Sequence, residues 1–172
     1  MKEKKVIFSD LDGTLIETLS GQTFQQGAWD VKLKLDVWAK IKELFTCEEK
    51  KFLCIVTNQG GIETGKVNPD TWVAKAKWIN AALEEYLGEG WKVDVQACTS
   101  HDDNNPYRKP NTGMLMDYIG DVVKWTYPTI ELKNIIMIGD ASGKPGDWSD
   151  SDLVTARRLG CDYVDVRDFM EM

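Results

Sequence analysis

Two acidic residues follow the first apolar run of the chain, with a single residue between them. The run at residues 5–9 leads into Asp10 and Asp12, and Gly13 and Thr14 come next. In an extended chain, residues i and i+2 point to the same side, so both carboxylates are predicted to face one site. Two carboxylates this close repel each other unless a cation lies against them or they share a proton. The pair therefore predicts Mg²⁺, a hard ion that prefers oxygen ligands, with Asp10 and Asp12 among its ligands.

Polar and charged residues also follow the second and third apolar runs. Thr57, Asn58 and Gln59 come directly after the second run. A hydroxyl group, together with backbone N–H groups freed by the glycines that follow, suits a phosphate group. Arg108 and Lys109 lie on the loop after the third run, where Lys109 can bring a positive charge to the same edge. We predict that Thr57 and Lys109 are catalytic and that Asn58, Gln59 and Arg108 bind the phosphorylated substrate.

The fourth apolar run is followed by a third carboxylate and a further lysine. Asp140 comes directly after the run, and Lys144 and Asp152 lie on the segment beyond it. Asp140 is predicted to complete the metal site, and Lys144 to add to a small positive rim. Two interpretations of Asp152 stay open, because it can support the site or cap the last helix, and both roles can hold together.

The elements that position these residues alternate along the chain. Continuous apolar runs predict strands covered on both faces, and helical patterns lie between them. Such alternation indicates an α/β fold, with a doubly wound, Rossmann-like parallel sheet of about five strands flanked by helices. Ligands bind at the carboxyl ends of the strands in such sheets, so the residues after each strand should converge. The predicted strands are 5–9, 52–57, 93–98, 135–138 and 163–166, and the helices 35–47, 68–87, 112–125 and 152–159.

Length and patterning favour one domain covering residues 1–172, which is an ordinary domain size. Residues 13–29 are polar and punctuated by glycine. This segment is too long for a plain loop between a strand and a helix, and we predict a small flap after the first strand.

Composition narrows the classes of partner and compartment. The formal net charge is −7, which gives no broad basic surface for nucleic acid, so an anionic substrate must meet local positive charge or a metal. The four cysteines form no CxxC pair and no disulfide framework, which favours reduced thiols and a cytoplasmic location. No apolar stretch approaches the roughly 20 residues of a membrane span, so no membrane partner is expected.

Several strings carry a resemblance to a known superfamily. "DLDGT", Thr57, Lys109 and "GD…SD" look like the four motifs of the haloacid dehalogenase-like phosphatases, in order. A narrower resemblance rests on "DLDGTLIETLSGQTF", "TNQGGIETGK", "YRKPNTGM" and "GDASGKPGDWSDSD". These strings are similar to the 3′-phosphatase domain of polynucleotide kinase/phosphatase.

The resemblance implies a mechanism that the residue chemistry supports. Asp10 would attack phosphorus and form an aspartyl-phosphate, and Asp12 would act as general acid and then general base. Mg²⁺ would bind Asp10, the backbone carbonyl of Asp12 and Asp140. The phosphoryl oxygens would be held by Thr57, the Asn58 N–H and Lys109, while Asp152 would orient Lys109 or metal-bound water.

The function implied is a Mg²⁺-dependent phosphomonoesterase that removes 3′-phosphate from DNA ends. Arg108, Lys109 and Lys144 would form a rim for a short single-stranded end. A separate kinase or ligase would then be a partner. Two alternatives stay open: a small-molecule phosphatase acting on a nucleotide, a sugar phosphate or histidinol phosphate, and a binding module that has lost the chemistry. No role is assigned to His101.

Overall fold

A five-stranded sheet, parallel throughout, forms the centre of the computed structural model, which describes residues 1–46 and 48–172. The sheet has the order β5-β4-β1-β6-β7, and a separate antiparallel hairpin joins β2 to β3. In chain order the strands are β1 (Val6–Ser9), β2 (Ile16–Glu17), β3 (Lys32–Leu33), β4 (Lys51–Asn58), β5 (Trp91–Cys98), β6 (Ile135–Gly139) and β7 (Asp162–Asp165).

Helices cover both faces of this sheet. They are α1 (Leu35–Leu44), α2 (Pro69–Leu87), α3 (Gly113–Tyr118), α4 (Lys124–Thr126), α5 (Ser151–Leu159) and α6 (Val166–Met170). A π-helical turn at Ile119–Val123 joins α3 to α4, so one helical segment runs from Gly113 to Thr126. This arrangement confirms the predicted α/β fold with a doubly wound parallel sheet.

The core is divided between the two faces because successive strand residues point in opposite directions. Ile7 of β1 packs into the cluster under α1, α2 and α6, together with Trp38 and Ile79. Val6 and Phe8 pack on the other side, in the cluster that includes residues of α3 and α5. The central strands β1, β4 and β6 are therefore mostly apolar and buried, and the sheet fixes the positions of their carboxyl ends relative to one another.

The predicted helices are present, with differences at some ends. Asn68 caps α2 as predicted, since its side-chain oxygen accepts hydrogen bonds from the backbone N–H groups of Asp70 (2.9 Å) and Thr71 (3.1 Å). The first helix ends at Leu44, earlier than predicted, and Cys47 lies outside the described residues. Gly160, with φ +85°, ends α5 as the sequence predicts.

The segment predicted to be a flap, residues 13–29, contains β2 and the connection that leads towards β3. Its fold is fixed by Asp30, a fully buried carboxylate. This side chain accepts hydrogen bonds from the backbone N–H and the hydroxyl group of Ser20 (both 2.7 Å) and from the Gln26 N–H (2.9 Å). The single acid thus closes the polar segment into a compact loop. That the segment acts as a flap stays a prediction, as does the single-domain boundary.

None of the helices in the described ranges combines the length and the apolar character needed to cross a bilayer.

Candidate functional site

The carboxyl ends of β1, β4 and β6 meet at one edge of the sheet. The register pairs Ser9 with Ile55 on one side and with Ile138 on the other. Asp10 follows directly, and its N–H donates to the carbonyl oxygen of Ile138 at 2.9 Å. The parallel ladder therefore fixes the backbone of Asp10 beyond the end of the strand.

Lys109 lies between two carboxylates at this edge. Its Nζ donates to Asp10 Oδ1 at 2.6 Å and to Asp152 Oδ1 at 2.7 Å, and all three residues are buried. Burial alone would lower the pKa of Lys109, but the two carboxylates outweigh it and raise this pKa. Lys109 therefore stays an ammonium group directly beside Asp10.

Asn58 holds the backbone of Lys109 in place through a reciprocal pair of hydrogen bonds. The Asn58 Nδ2 donates to the Lys109 carbonyl oxygen at 2.9 Å, and the Lys109 N–H donates to Asn58 Oδ1 at 2.8 Å. Both side-chain groups of Asn58 are thus engaged with the loop that carries Lys109. Its side chain positions the cation, and only its backbone N–H is left for the predicted role on phosphate.

Three carboxylates form a group that fits a hard cation. Asp10, Asp140 and Asp152 each offer one oxygen, and these atoms lie within 4.8 Å of one another. Burial raises the pKa of Asp10 and, together with Asp152, that of Asp140, while Lys109 offsets this only in part. A divalent cation would reverse this effect, because its charge favours the ionised carboxylates.

Gly13 makes room for the carboxylate of Asp140. Its φ is +88°, and a Cβ built there would lie 2.1 Å from Asp140 Oδ2. A side chain at this position would therefore collide with a predicted metal ligand. The turn after Asp12 needs glycine for its backbone conformation and for this close approach.

Asp12 differs from the prediction made from strand periodicity. Its carboxylate is not part of the group of three, where Asp152 takes the place expected for it. The extended chain ends at Ser9, and the chain then turns around the buried Leu11, whose carbonyl accepts from the N–H of Leu15 at 2.9 Å. The rule for residues i and i+2 therefore does not apply beyond β1. Ligation through the backbone carbonyl of Asp12 stays a prediction.

The Asp12 carboxylate lies beside Gln59 and Lys75 instead. Gln59 Nε2 donates to Asp12 Oδ2 and to Thr57 Oγ1, both at 2.9 Å. Gln59 thereby links the predicted acid–base residue to the buried hydroxyl group of Thr57. The Lys75 Nζ lies 3.8 Å from Asp12 Oδ1.

A groove of about 370 Å³ opens beside Asp12. This volume falls within the usual range of small-ligand sites, roughly 300–1,000 Å³. Arg108 lies on its wall, where Nη1 donates to the Ser100 carbonyl oxygen and Nε to Asp103 Oδ1, both at 3.1 Å. His101 also borders the groove. Its polar lining includes Asp12, Gln25, Lys66, Lys75, His101 and Arg108, together with Asn58, Gln59 and two threonines.

Lys75 and Gln25 also border the groove, and the predictions made from the sequence do not include them. Lys75 falls on the buried face of α2, three residues after Trp72 and four before Ile79. A lysine within an apolar helical stripe is a usable signal. Gln25 lies in an irregular segment, and nothing in the local pattern marks it.

Two further predicted residues have different outcomes. The interpretation of Asp152 as a helix cap is wrong, since Asp150 occupies the cap position of α5; the contact with Lys109 agrees with the other interpretation. Lys144 does not border the groove. Its Nζ contacts Asp168 at 2.8 Å and Asp165 at 3.6 Å. These ion pairs direct Lys144 toward β7 and α6, and not toward Lys109.

The sequence is similar to known proteins, and one of them belongs to the predicted family. The chain is 33% identical over 169 residues to the bifunctional polynucleotide phosphatase/kinase of Schizosaccharomyces pombe, covering 98% of this chain and 38% of that protein. It is 28% identical over 176 residues to the histidine biosynthesis bifunctional protein HisB of Bacteroides fragilis, covering 99% of this chain and 41% of that protein. The chain thus spans about two fifths of the length of these relatives.

A solved structure agrees with the fold, and a family model matches most of the chain. D,D-heptose 1,7-bisphosphate phosphatase from B. bronchiseptica, complexed with magnesium and phosphate, aligns with a TM-score of 0.66 and 23% identity, covering 92% of this chain and 78% of that one. The family model described as polynucleotide kinase 3 phosphatase matches residues 5–169. This match confirms the predicted family and, with it, the phosphatase class of enzyme. The chain belongs to the polynucleotide kinase 3 phosphatase family.

Proposed function

We propose that this protein is a Mg²⁺-dependent phosphomonoesterase that removes 3′-phosphate from DNA ends through an aspartyl-phosphate on Asp10. The observation that carries the proposal is the contact between Lys109 and Asp10 at an edge with two further carboxylates. A nucleophilic carboxylate next to a fixed ammonium group suits attack on an anionic phosphate, since the cation offsets the repulsion between them.

The first step uses Asp10 as the nucleophile. Its Oδ1 accepts the hydrogen bond from Lys109, which leaves the other oxygen for phosphorus. As the new P–O bond forms, the bond to the 3′-oxygen breaks, and Asp12 donates a proton to the departing oxygen. Asp12 suits this role because its side chain is half-exposed at the groove and is held by Gln59.

The second step releases phosphate from Asp10. Asp12, now ionised, takes a proton from a water molecule as that water attacks phosphorus. The bond between phosphorus and the Asp10 oxygen breaks, and inorganic phosphate and the free carboxylate result. Thr57, the Asn58 N–H and Lys109 hold the phosphoryl oxygens in both steps, where donors of fixed geometry stabilise the charge that develops.

Asp10, Asp140 and Asp152 would hold the Mg²⁺, with Asp12 contributing its backbone carbonyl. When bound, the ion supplies positive charge that offsets the repulsion between the phosphate and the carboxylates. Asp152 also anchors Lys109, and its Oδ2 accepts from the Ala141 N–H at 3.1 Å. Asp152 therefore links the loop after β6 to Lys109, whose ammonium group contacts Asp10.

A phosphate-release assay tests the proposal. With Mg²⁺ present, release from a 3′-phosphorylated oligonucleotide should far exceed release from mononucleotides, sugar phosphates and histidinol phosphate. Asp10→Asn should abolish release on every substrate and leave the circular dichroism spectrum unchanged. The reverse ranking of substrates would overturn the DNA-end assignment. Wild-type protein that releases no phosphate from any substrate would show a binding module instead.

A small-molecule phosphatase is the second candidate. The similarity to HisB and to the heptose bisphosphate phosphatase favours it. The cationic groove beside Asp12 favours a longer anionic substrate, because Lys66, Lys75 and Arg108 add charge beyond the site of the scissile phosphate. A separate kinase or ligase would complete the processing of a DNA end, and co-purification with such an enzyme would test that partner.

A further inference from the structure

Lys75 is a buried cation whose ion pair with Asp12 is long and lacks a hydrogen bond. Its side chain is 3% exposed, and its Nζ reaches no carboxylate oxygen of the described residues more closely than Asp12 Oδ1, at 3.8 Å. It donates no hydrogen bond to any group within residues 1–46 and 48–172. A buried charge of this kind is costly unless it is paired and hydrogen-bonded. Lys75 borders the groove, so a ligand bound there could accept hydrogen bonds from its ammonium group.

Gln25 gives a second, independent observation on the same groove. The residue is buried, and neither Nε2 nor Oε1 has a hydrogen-bond partner in the described part of the chain. Buried carboxamide groups are nearly always satisfied. Gln25 therefore carries one unmet acceptor and unmet donors beside the groove that it borders.

The position of Lys75 relative to Asp12 indicates which part of a substrate it would meet. Asp12 gives its proton to the leaving oxygen, so this oxygen and the group attached to it lie on the Asp12 side of phosphorus. Lys75, from α2, and Gln25, from the segment between β2 and β3, border the groove on that side. The transferred phosphoryl group itself is held by Lys109, which contacts Asp10 and does not border the groove.

We propose that this groove is a subsite for the 3′-terminal nucleotide, in which Lys75 binds the neighbouring internucleotide phosphate and Gln25 binds the hydrogen-bonding edge of the terminal base. This inference rests on the proposed function and adds two specificity-determining residues to it. An ammonium group suits the first contact because a phosphodiester keeps its negative charge. A carboxamide suits the second because it donates and accepts, as base edges do.

The experiment combines two variants with four substrates. The variants are Lys75→Met and Gln25→Leu, which keep approximate shape and remove the polar groups. The substrates are a 3′-phosphorylated oligonucleotide, the same strand with an uncharged methylphosphonate as its last linkage, the same strand with a base-free terminal sugar, and an aryl phosphate. Lys77→Met is the matched control, because Lys77 is an exposed lysine on the same helix.

Each variant should be sensitive to one chemical group only. Lys75→Met should raise KM about tenfold on the natural strand, as expected for a hydrogen bond to a charged group, and less than about twofold on the methylphosphonate strand. Gln25→Leu should raise KM about fivefold on the natural strand and leave it unchanged on the base-free strand. The aryl phosphate gives the baseline, because it carries neither an internucleotide phosphate nor a base: each loss on the natural strand should exceed any change on the aryl phosphate by these factors. Lys77→Met should match the wild type on all four substrates.

Equal losses on all four substrates would overturn the subsite, because the side chains would then act through Asp12 or through the fold. If the variants melt below the assay temperature, the wild type alone decides: equal KM values for the natural, methylphosphonate and base-free strands would also overturn it. The proposed function fails separately, if the wild type cleaves the aryl phosphate and no oligonucleotide.

Discussion

Lys109 has two opposing effects at the scale of single residues. Its ammonium group keeps Asp10 and Asp152 together in a buried position, where two carboxylates alone would repel each other. The same group occupies oxygens that a metal ion would use, since both acids belong to the group of three carboxylates. Lys109 and a bound divalent cation would therefore both neutralise the carboxylates at this edge.

Replacing Lys109 separates these effects. Lys109→Met should reduce phosphate release about 100- to 1,000-fold, since it removes a donor aimed at the phosphoryl oxygens. Without metal the variant should lose about 3–5 kcal/mol of unfolding free energy, because two buried carboxylates lose their partner. Added Mg²⁺ should raise its Tm by more than it raises that of the wild type, because the ion would neutralise the two buried carboxylates that have lost their ammonium partner.

Differential scanning fluorimetry with and without Mg²⁺ measures this difference. Lys133→Met is the control, since Lys133 forms an exposed ion pair with Glu131. An equal Mg²⁺-induced shift in Lys109→Met and wild type would show that lysine and metal do not share these oxygens.

At the scale of elements, α6 fixes the loop that carries Asp140. Arg167 lies in α6, and its Nη1 donates to Asp147 Oδ1 at 2.9 Å and its Nε to Asp165 Oδ1 at 2.7 Å. Asp147 in turn accepts from the Ser142 N–H at 3.1 Å. Burial would raise the pKa of Asp165, but hydrogen bonds from Arg167 and Ser142 outweigh it and lower this pKa. The loop after β6 is thus bound to the last helix through charged hydrogen bonds.

This network should govern metal affinity more than the chemical step. Arg167→Met should raise the Mg²⁺ concentration for half-maximal activity about tenfold, a common result when groups that orient metal ligands are lost. The kcat at saturating Mg²⁺ should change little, and Arg167→Lys should recover part of the affinity. Arg157→Met is the control, since Arg157 is exposed on α5. A fall in kcat with unchanged Mg²⁺ dependence would contradict this role.

The type of element also determines which features could be predicted from the sequence. The central strands β1, β4 and β6 are mostly apolar and buried, so the pattern indicates the sheet and places Asp10, Thr57 and Asp140 at one edge. The direction of the Asp12 carboxylate depends on a turn that begins one residue after β1, which strand periodicity does not describe. Gln25 comes to the groove through tertiary contacts of an irregular segment, which no local pattern encodes.

At the scale of the whole molecule, charge is distributed unevenly. The chain carries a net charge of −7, yet Lys66, Lys75 and Arg108 border its groove, and Asp12 is the one carboxylate among the described residues that line it. Lys66 Nζ also lies 4.8 Å from the centre of the Phe24 ring, which keeps it at the groove wall. The acidic remainder of the surface repels extended nucleic acid. The molecule should therefore bind a short end and release the duplex beyond it.

Salt dependence gives a quantitative test of this distribution. Contact of three cations with a single strand predicts that log(kcat/KM) falls against log[salt] with a slope of about −2. At constant Mg²⁺, KCl titration should give this slope for a 3′-phosphorylated oligonucleotide, and a slope near zero for an aryl phosphate that reaches only the buried Lys109. Lys66→Met should make the oligonucleotide slope shallower by about 0.7, the share of one contact.

The control for this titration is Lys133→Met, which removes an equal charge from a residue that does not line the groove and should keep the wild-type slope. If both substrates show the same slope, the groove cations do not contact the strand. If Lys133→Met changes the slope as much as Lys66→Met does, the net charge of the molecule sets the attraction. Only a loss confined to Lys66→Met would tie the salt dependence to the groove itself.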